Sequence, residues 1–397
     1  MFPCENEFES ISRTSHFKHS FPARFGLYLH VPFCIHKCSY CDFYSFTKYE
    51  TNDYLRYRDA LVAELISAET ALRARGYSQA LRSIFFGGGT PSLLPVQYLA
   101  DIFSTIRERF GDLSAAEITL EANPETVNDT FCEQLRSLTP VNRVSMGAQS
   151  FQSSNLNKLE RLGSKQTIEH GAKTLKKHGF TNFNLDLIFG IPGQTPTELE
   201  ADIEQATLLG PKHVSFYSLS LKEGHTLFSK LPSGDKVAEM YERGIALLAK
   251  RGYFQYEISN FAVPGFESQH NLIYWDGSDY LGVGPSAASR FFWDGSFHHK
   301  KQISDFKRYL SATAFNVSQM EVTSKTQTIL EASFLELRKN RGIDLGAFQA
   351  RYGYDFTKAR KYPLFLKEGL LLKDENRLML TARGRLLADE VTRDLVD

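Results

Sequence analysis

From residue 25 onward, apolar positions along this chain switch repeatedly between two periods. Short runs rich in Ile, Val, Phe and Leu occur at Gly26 to Val31, Leu81 to Phe86, Glu117 to Glu121, Arg143 to Met146, Phe183 to Ile188 and His213 to Leu219. Runs of this length and composition predict strands buried on both faces, as in a parallel sheet. Between them lie longer stretches with helical spacing. In NDYLRYRDALVAELISAETALRARG, the residues Leu55, Leu61, Val62, Leu65, Ile66 and Leu72 fall on one helical face, and Gly76 stands where a helix is stopped. Further helices are expected from near Pro95, Glu125, Lys165 and Thr197, the last opened by TPTELE with its capping residue and acidic first turn. Strand–helix repeats of this kind predict parallel strands with right-handed crossovers. The expected fold class is α/β, a partial (β/α)6 barrel short of the full eight units.

Past residue 300 the pattern changes. TQTILEASFLELRKNRGIDLGAFQARYG reads as helices, and EGLLLKDENRLMLTARGRLLADEVTRDLV as strand, turn, strand and helix, a winged-helix-like module. The expected organisation is an N-terminal extension at 1–24, the barrel at 25–234, a Tyr-, Trp- and Phe-rich connector packing on the barrel at 235–302, and the C-terminal module at 303–397. Lys plus Arg equals Asp plus Glu at 46 each, so the chain lacks the basic footprint of a protein that grips nucleic-acid phosphates. No apolar run reaches the roughly 18–20 residues of a membrane span. The opening segment has no apolar core of the secretory kind. Five cysteines, three of them bunched, argue against a disulfide framework and for a reducing cytoplasm.

The bunched cysteines lie in LYLHVPFCIHKCSYCDFYSF, where Cys34, Cys38 and Cys41 have the spacing C-x3-C-x2-C. A structural zinc ion takes four protein ligands, usually as two pairs, and a four-iron cluster normally takes four cysteines. Three thiols therefore point to a cluster with one iron left for a ligand that is not protein. A zinc site with His36 as fourth ligand is the alternative that this spacing disfavours. Other notable polar residues fall at the C-terminal ends of the expected strands, the rim on which parallel α/β barrels build their sites. Strand two runs into GGGTPS (Gly87 to Ser92), read as a ligand cradle with amide N–H groups free to receive an anion, or more plainly as a tight turn. EITLEANPE delivers Glu121 and Asn123, RVSMGAQSF delivers Gln149 with Arg161 beyond it, and FNLDLIFGIPGQT delivers Asp186. Asp186 sits in an apolar strand and needs a partner; Glu121 and Arg161 are candidates to pair with each other. Cys4 and Cys132 read as ordinary free thiols.

This ordered set of motifs resembles the radical S-adenosylmethionine (SAM) superfamily and, within it, the oxygen-independent coproporphyrinogen III oxidase-like group. The likeness covers roughly residues 25–290, and the C-terminal module is similar to that group's own terminal domain. It implies that Cys34, Cys38 and Cys41 hold three irons of a [4Fe–4S] cluster, that SAM chelates the fourth, and that an electron from the cluster cleaves the sulfonium. By position it places Tyr28 and Tyr40 beside cluster and SAM, Gly88 at the methionyl group and Glu121 at the ribose or amine. Gly89, Thr90, Gln149, Arg161 and Asp186 match positions that hold a second SAM in the porphyrinogen-oxidising relatives. No residue is assigned a catalytic role.

Two branches of the group then have to be separated. The dehydrogenases carry a further cysteine where this chain has Phe43, and a longer N-terminal extension than the 24 residues here. Both departures are similar to the HemW-type haem chaperones, as is SQHNLIYW. That likeness implies that His270 ligates haem iron while Tyr274 and Trp275 stack on the macrocycle. LGVGPSAASR, with Ala288 where those chaperones commonly show a histidine, points the other way. The expectation is a haem chaperone that passes haem to an acceptor protein, with coproporphyrinogen III decarboxylation to protoporphyrinogen IX as the alternative, so enzymatic turnover stays open. Radical modification of RNA is a third reading that the zero net charge disfavours. Implied partners are the acceptor and an electron donor such as a flavodoxin or ferredoxin, without nucleic acid. Transient membrane association, and a monomer or a cluster-dependent dimer, are left open.

Overall fold

A computed structural model describes residues 25–77, 80–311 and 317–396, so Cys4 and the extension at 1–24 lie outside the described residues. The six expected strands form: β1 (Phe25–Val31), β2 (Leu81–Gly88), β3 (Glu117–Ala122), β4 (Arg143–Gln149), β5 (Phe183–Phe189) and β6 (His213–Ser218). Each pairs in parallel with the next. The crossovers carry α1 (Thr51–Ala74), α2 (Val96–Phe110), α3 (Asp129–Leu138), α4 (Ser153–Lys158), α5 (Lys165–Lys177) and α6 (Pro196–Leu208). The helix expected near Glu125 starts later, because Pro124–Thr126 forms a single tight turn and the Asn128 side chain accepts from the Phe131 amide to open α3.

Alternation along the strands separates two environments. Leu27, Leu29 and Val31 of β1 join Leu61, Leu65, Leu99 and Ile102 of α1 and α2 in one fully buried apolar cluster. The intervening Tyr28 and His30 face the lumen. Register sets Thr119 beside Arg143, Glu121 beside Ser145, Ser145 beside Asn184, and Asn184 beside His213; Gly147, Asp186 and Ser215 form the next row toward the mouth. A polar lumen inside an apolar jacket is unlike the packed apolar core of a complete barrel. Tyr28, Phe85, Glu121 and Asp186 keep partial accessibility within it.

The connector shares the barrel's core cluster through Leu248, Phe261, Leu281 and Phe291, and it extends the sheet at both edges. After α7 (Gly234–Lys250), β7 (Phe254–Glu257) and β8 (Asn260–Ala262) add antiparallel to β6. The short α8 (Gln269–Trp275) leads to β9 (Tyr280–Val283), which pairs in parallel with β1. β10 (Ala288–Trp293) and β11 (Ser296–Gln302) follow antiparallel, then α9 (Phe306–Leu310) and β12 (Val317–Val322), giving the order β12-β11-β10-β9-β1-β2-β3-β4-β5-β6-β8-β7. Since Tyr309 of α9 is buried in the barrel cluster and β12 pairs with β11, the C-terminal unit begins after Val322, later than residue 303. It contains α10 (Lys325–Leu337), β13 (Ile343–Asp344), α11 (Leu345–Tyr352), α12 (Tyr362–Lys367), β14 (Leu371–Asp374), β15 (Arg377–Leu380), α13 (Ala382–Leu386) and α14 (Ala388–Leu395). Its antiparallel sheet has the order β13-β15-β14, over a separate core that includes Ile329, Phe348, Leu378 and Leu395. No helix among the described residues is long and apolar enough to cross a membrane.

One carboxyl ties distant parts of this sheet together. Glu64 of α1, 6% exposed, accepts from the Gly284 amide at 2.8 Å, the Tyr309 hydroxyl at 2.8 Å and the Gln302 side chain. Burial pushes it from 4.5 up to about 7, with the three donors pulling it back. The folded state thus holds a proton that the unfolded chain releases above about 4.5. Its contribution is full below that value and falls as pH rises to about 7, by about 3 kcal/mol in all. Glu64→Gln is expected to flatten this fall in denaturant titrations run at several pH values; an unchanged slope would contradict the assignment.

Candidate functional site

The cysteine loop leaves the C-terminal end of β1 and is fixed from below. The Cys34 amide donates to Phe46 O at 3.0 Å, the Phe46 amide to Pro32 O at 2.9 Å, and His30 Nε2 meets Tyr44 O at 2.7 Å. Phe33, fully buried, anchors the loop edge-on against Phe46, Tyr49, Tyr54 and Tyr57. Cys34, Cys38 and Cys41 are all free thiols, the first two only 8% exposed. Thr90 Oγ1 donates to Cys34 Sγ at 3.6 Å and Arg161 Nη1 to Cys38 Sγ at 3.8 Å. Burial pushes the Cys41 thiol up, and the charges of Cys34 and Cys38 add to it. No three His, Cys, Asp or Glu side chains among the described residues are placed to grip one metal ion. Three free thiols on one loop, two of them accepting hydrogen bonds from Thr90 and Arg161, form a donor set that an iron–sulfur cluster can use. His36 is exposed.

The glycine turn sits directly beneath this loop. A Cβ on Gly88, at φ 112°, would come within 2.6 Å of the His30 ring, and one on Gly89 within 2.6 Å of Phe33 O. These glycines are needed for close approach of two backbones. Their amides are not free, contrary to expectation: Gly89 N donates to Val31 O and Thr90 N to Phe33 O, both at 2.7 Å, and Gly88 N to Glu121 Oε2 at 3.2 Å. An anion would have to displace these bonds.

Two polar groups stand over the lumen. In the first, Tyr28 hydrogen-bonds His30 Nδ1 at 3.0 Å, and Glu121 holds the Gly88 amide. Burial pushes Glu121 up to about 8, helped by Asp186 and opposed by the Gly88 amide and Arg143. In the second, Arg161 Nη2 donates to Asn123 Oδ1 and Gly147 O, both at 3.0 Å, while Asn123 donates to Thr90 Oγ1 at 3.1 Å. Burial pulls the Arg161 guanidinium down, but Tyr40, Cys38 and Glu125 hold it above its ordinary value. Arg161 therefore pairs with this group and not with Glu121. Burial raises the Tyr40 hydroxyl. Asp186, raised by burial, accepts from Asn184 Nδ2 at 2.7 Å. Gln149 has φ 66° at a bulge between β4 and β5, a strained backbone of the kind that gathers at functional sites. The sequence reading passed over His30, Arg143, Asn184 and His213. The available signal was polar residues two apart inside apolar strands, as in RVS, NLD and HVS.

The HNLIYW segment is placed elsewhere. It forms α8, against the N-terminal end of β2, with the His270 amide and Ser268 hydroxyl donating to Glu117 at the start of β3. His270 is 1% exposed and stacked on Phe85 at 5.0 Å; its Nδ1 meets Ser83 Oγ at 2.7 Å and its Nε2 meets Tyr274 OH at 2.9 Å. The Trp275 ring lies under Arg338 of the C-terminal unit at 5.5 Å. As folded, both ring nitrogens of His270 are engaged, by Ser83 and Tyr274, while Tyr274 and Trp275 are partly exposed. A haem iron bound here would have to displace one of those two bonds; as folded, the segment is the floor of the barrel.

Known families and proteins match most of this chain. The radical SAM superfamily pattern matches residues 28–206, and the HemN C-terminal domain pattern residues 323–387. Heme chaperone HemW of Lactococcus lactis is 35% identical over 381 residues, 92% of this chain and 95% of that protein. HemW of Bacillus subtilis is 35% identical over 386 residues, 92% and 97% respectively. HemW of Escherichia coli is 40% identical over 277 residues, 68% and 71%. Among solved structures, coproporphyrinogen III oxidase (HemN) of Escherichia coli superposes with a TM-score of 0.77 at 23% identity, covering 95% of this chain and 91% of that one, which shows a shared fold.

Proposed function

Because this chain belongs to the radical SAM superfamily and, within it, to the HemW haem chaperone family, we propose that it binds haem and hands it to an acceptor protein, with a [4Fe–4S] cluster and SAM at the barrel mouth. The observation that carries this reading is the match to HemW proteins along almost their whole length, both units included. Phe43, 65% exposed where a dehydrogenase would place another thiol, supports it.

Cys34, Cys38 and Cys41 would hold the cluster, with Tyr28, Tyr40, Gly88 and Glu121 around SAM. Gly89, Thr90, Gln149, Arg161 and Asp186 complete the pocket wall, or a second ligand site. When bound, the cluster supplies one electron to the sulfonium of SAM. The chain's own residues orient and insulate. Phe33 fixes the loop, Arg161 places positive charge beside Cys38, and the closed floor keeps water from below. Since His270 is committed to that floor, the exposed apolar side chains Ile35, Phe43, Leu162 and Phe228 on the mouth loops offer the macrocycle a surface. A flavodoxin- or ferredoxin-type donor, a cytoplasmic setting and transient membrane contact fit the same reading.

Anaerobic iron and sulfide reconstitution, followed by haem titration and coproporphyrinogen III turnover in parallel, tests it. One haem per chain and no protoporphyrinogen are expected; protoporphyrinogen formation would replace the chaperone reading by the oxidase one.

A further inference from the structure

Below the carboxyls of the mouth lies a buried charge without an anion. Arg143 opens β4, is 2% exposed, and faces the lumen beside Thr119. Its hydrogen bond, Nη1 to Thr119 Oγ1, is long at 3.4 Å, and its Nε has no partner. No ion pair joins it to a carboxylate among the described residues. A guanidinium cannot shed its proton to escape burial, so an uncompensated one is costly.

Its neighbours at the floor are neutral. Ser83, Thr119, Asn184, His213, Ser215 and His270 are all fully or nearly buried. Both imidazoles are depressed by burial and by Arg143, His270 to about 3. Acids come next: Glu121, two residues along β3 from Thr119, and Asp186, two along β5 from Asn184. Burial raises both, while Arg143 pulls both back. Other titratable groups acting on this pair are Tyr28 from β1, Tyr217 from β6, Tyr274 from α8, and Tyr40 and Arg161 above Asp186. Arg143 is the cation on their floor side, and its reach to them is longer than a direct ion pair, a span that water commonly bridges.

We propose that Arg143 is a positioning residue for the Glu121 and Asp186 pair: it supplies the charge that lets them ionise, and so sets the pH range over which the mouth takes a cationic, hydroxyl-bearing ligand such as SAM. This rests on the reading of that pair as SAM contacts. Had Arg143 been mere filler, its loss would weaken binding equally at every pH.

Equilibrium dialysis of SAM against reconstituted protein between about pH 6 and 9 separates the two. For wild type, affinity rises with pH as the pair ionises. Arg143→Gln is expected to weaken SAM about tenfold at neutral pH, move the midpoint up by about one unit, and recover toward the alkaline end. A midpoint left where wild type has it overturns the inference. Should that variant not fold, Asp186→Asn with Arg143→Gln is compared with Asp186→Asn alone: the midpoint left to Glu121, held at about 8 with Arg143 present, must still rise, and identical profiles overturn the inference. Wild-type protein that binds no SAM at any pH overturns the parent reading as well, whereas pH-dependent binding unmoved by the variant overturns this inference alone.

Discussion

Cys38→Ser is expected to abolish the iron–sulfur absorption band of anaerobically reconstituted protein, with at least about tenfold less iron and sulfide retained. Three thiols are the entire protein share of such a cluster, so there is no spare ligand. His36 is exposed, and Phe43 brings no sulfur at the neighbouring position. The fold of the unloaded protein should survive, because Cys38 Sγ makes only a weak contact with Arg161 at 3.8 Å, while the loop is held by backbone bonds and the Phe33 anchor. Cys132→Ser gives the contrast. That thiol is fully buried in α3, so serine there should cost about 1–2 kcal/mol in stability and leave the iron content unchanged. A Cys38→Ser protein with an intact cubane spectrum that still responds to SAM would refute the assignment of the trio.

The six barrel strands were legible because each is buried along most of its length and bounded by turn residues, so the signal is local. The connector was not. Strands as short as Asn260–Ala262, or as charged as Ser296–Gln302, carry no period of their own and exist through their neighbours on β6 and β10. The edge of the barrel was hidden for a related reason. Tyr309 belongs to the barrel through a bond to Glu64, 245 residues away in sequence. At the site, the cysteine spacing reads directly as chemistry, since three ligands share one short loop. The amides of GGGTPS were misread as free because the carbonyls of Val31 and Phe33 that occupy them arrive from another strand. Arg143 was missed because an arginine at the start of a strand looks like a solvent-facing end until the register turns it inward. In each case the residue type was informative, and its exposure was decided by partners distant in sequence.

His270→Ala is expected to lower stability by about 3 kcal/mol and to leave haem stoichiometry and the Soret maximum unchanged, provided the titration is run well below the unfolding transition. Two buried hydrogen bonds are lost, and Ser83 Oγ, fully buried, is left without its imidazole partner. A cavity opens where the ring stacked on Phe85 at an interplanar angle of 26°. His270→Gln, which keeps a donor and an acceptor near those positions, should recover part of the loss. Denaturant unfolding measured beside haem titration distinguishes a floor residue from a ligand. Loss of the Soret band in a variant that remains folded would require α8 to leave Ser83 and Glu117 when haem binds, making the barrel floor the movable part. An unchanged band alongside a large stability loss would place the axial ligand on the mouth side, where apolar side chains stand exposed around the cysteine loop.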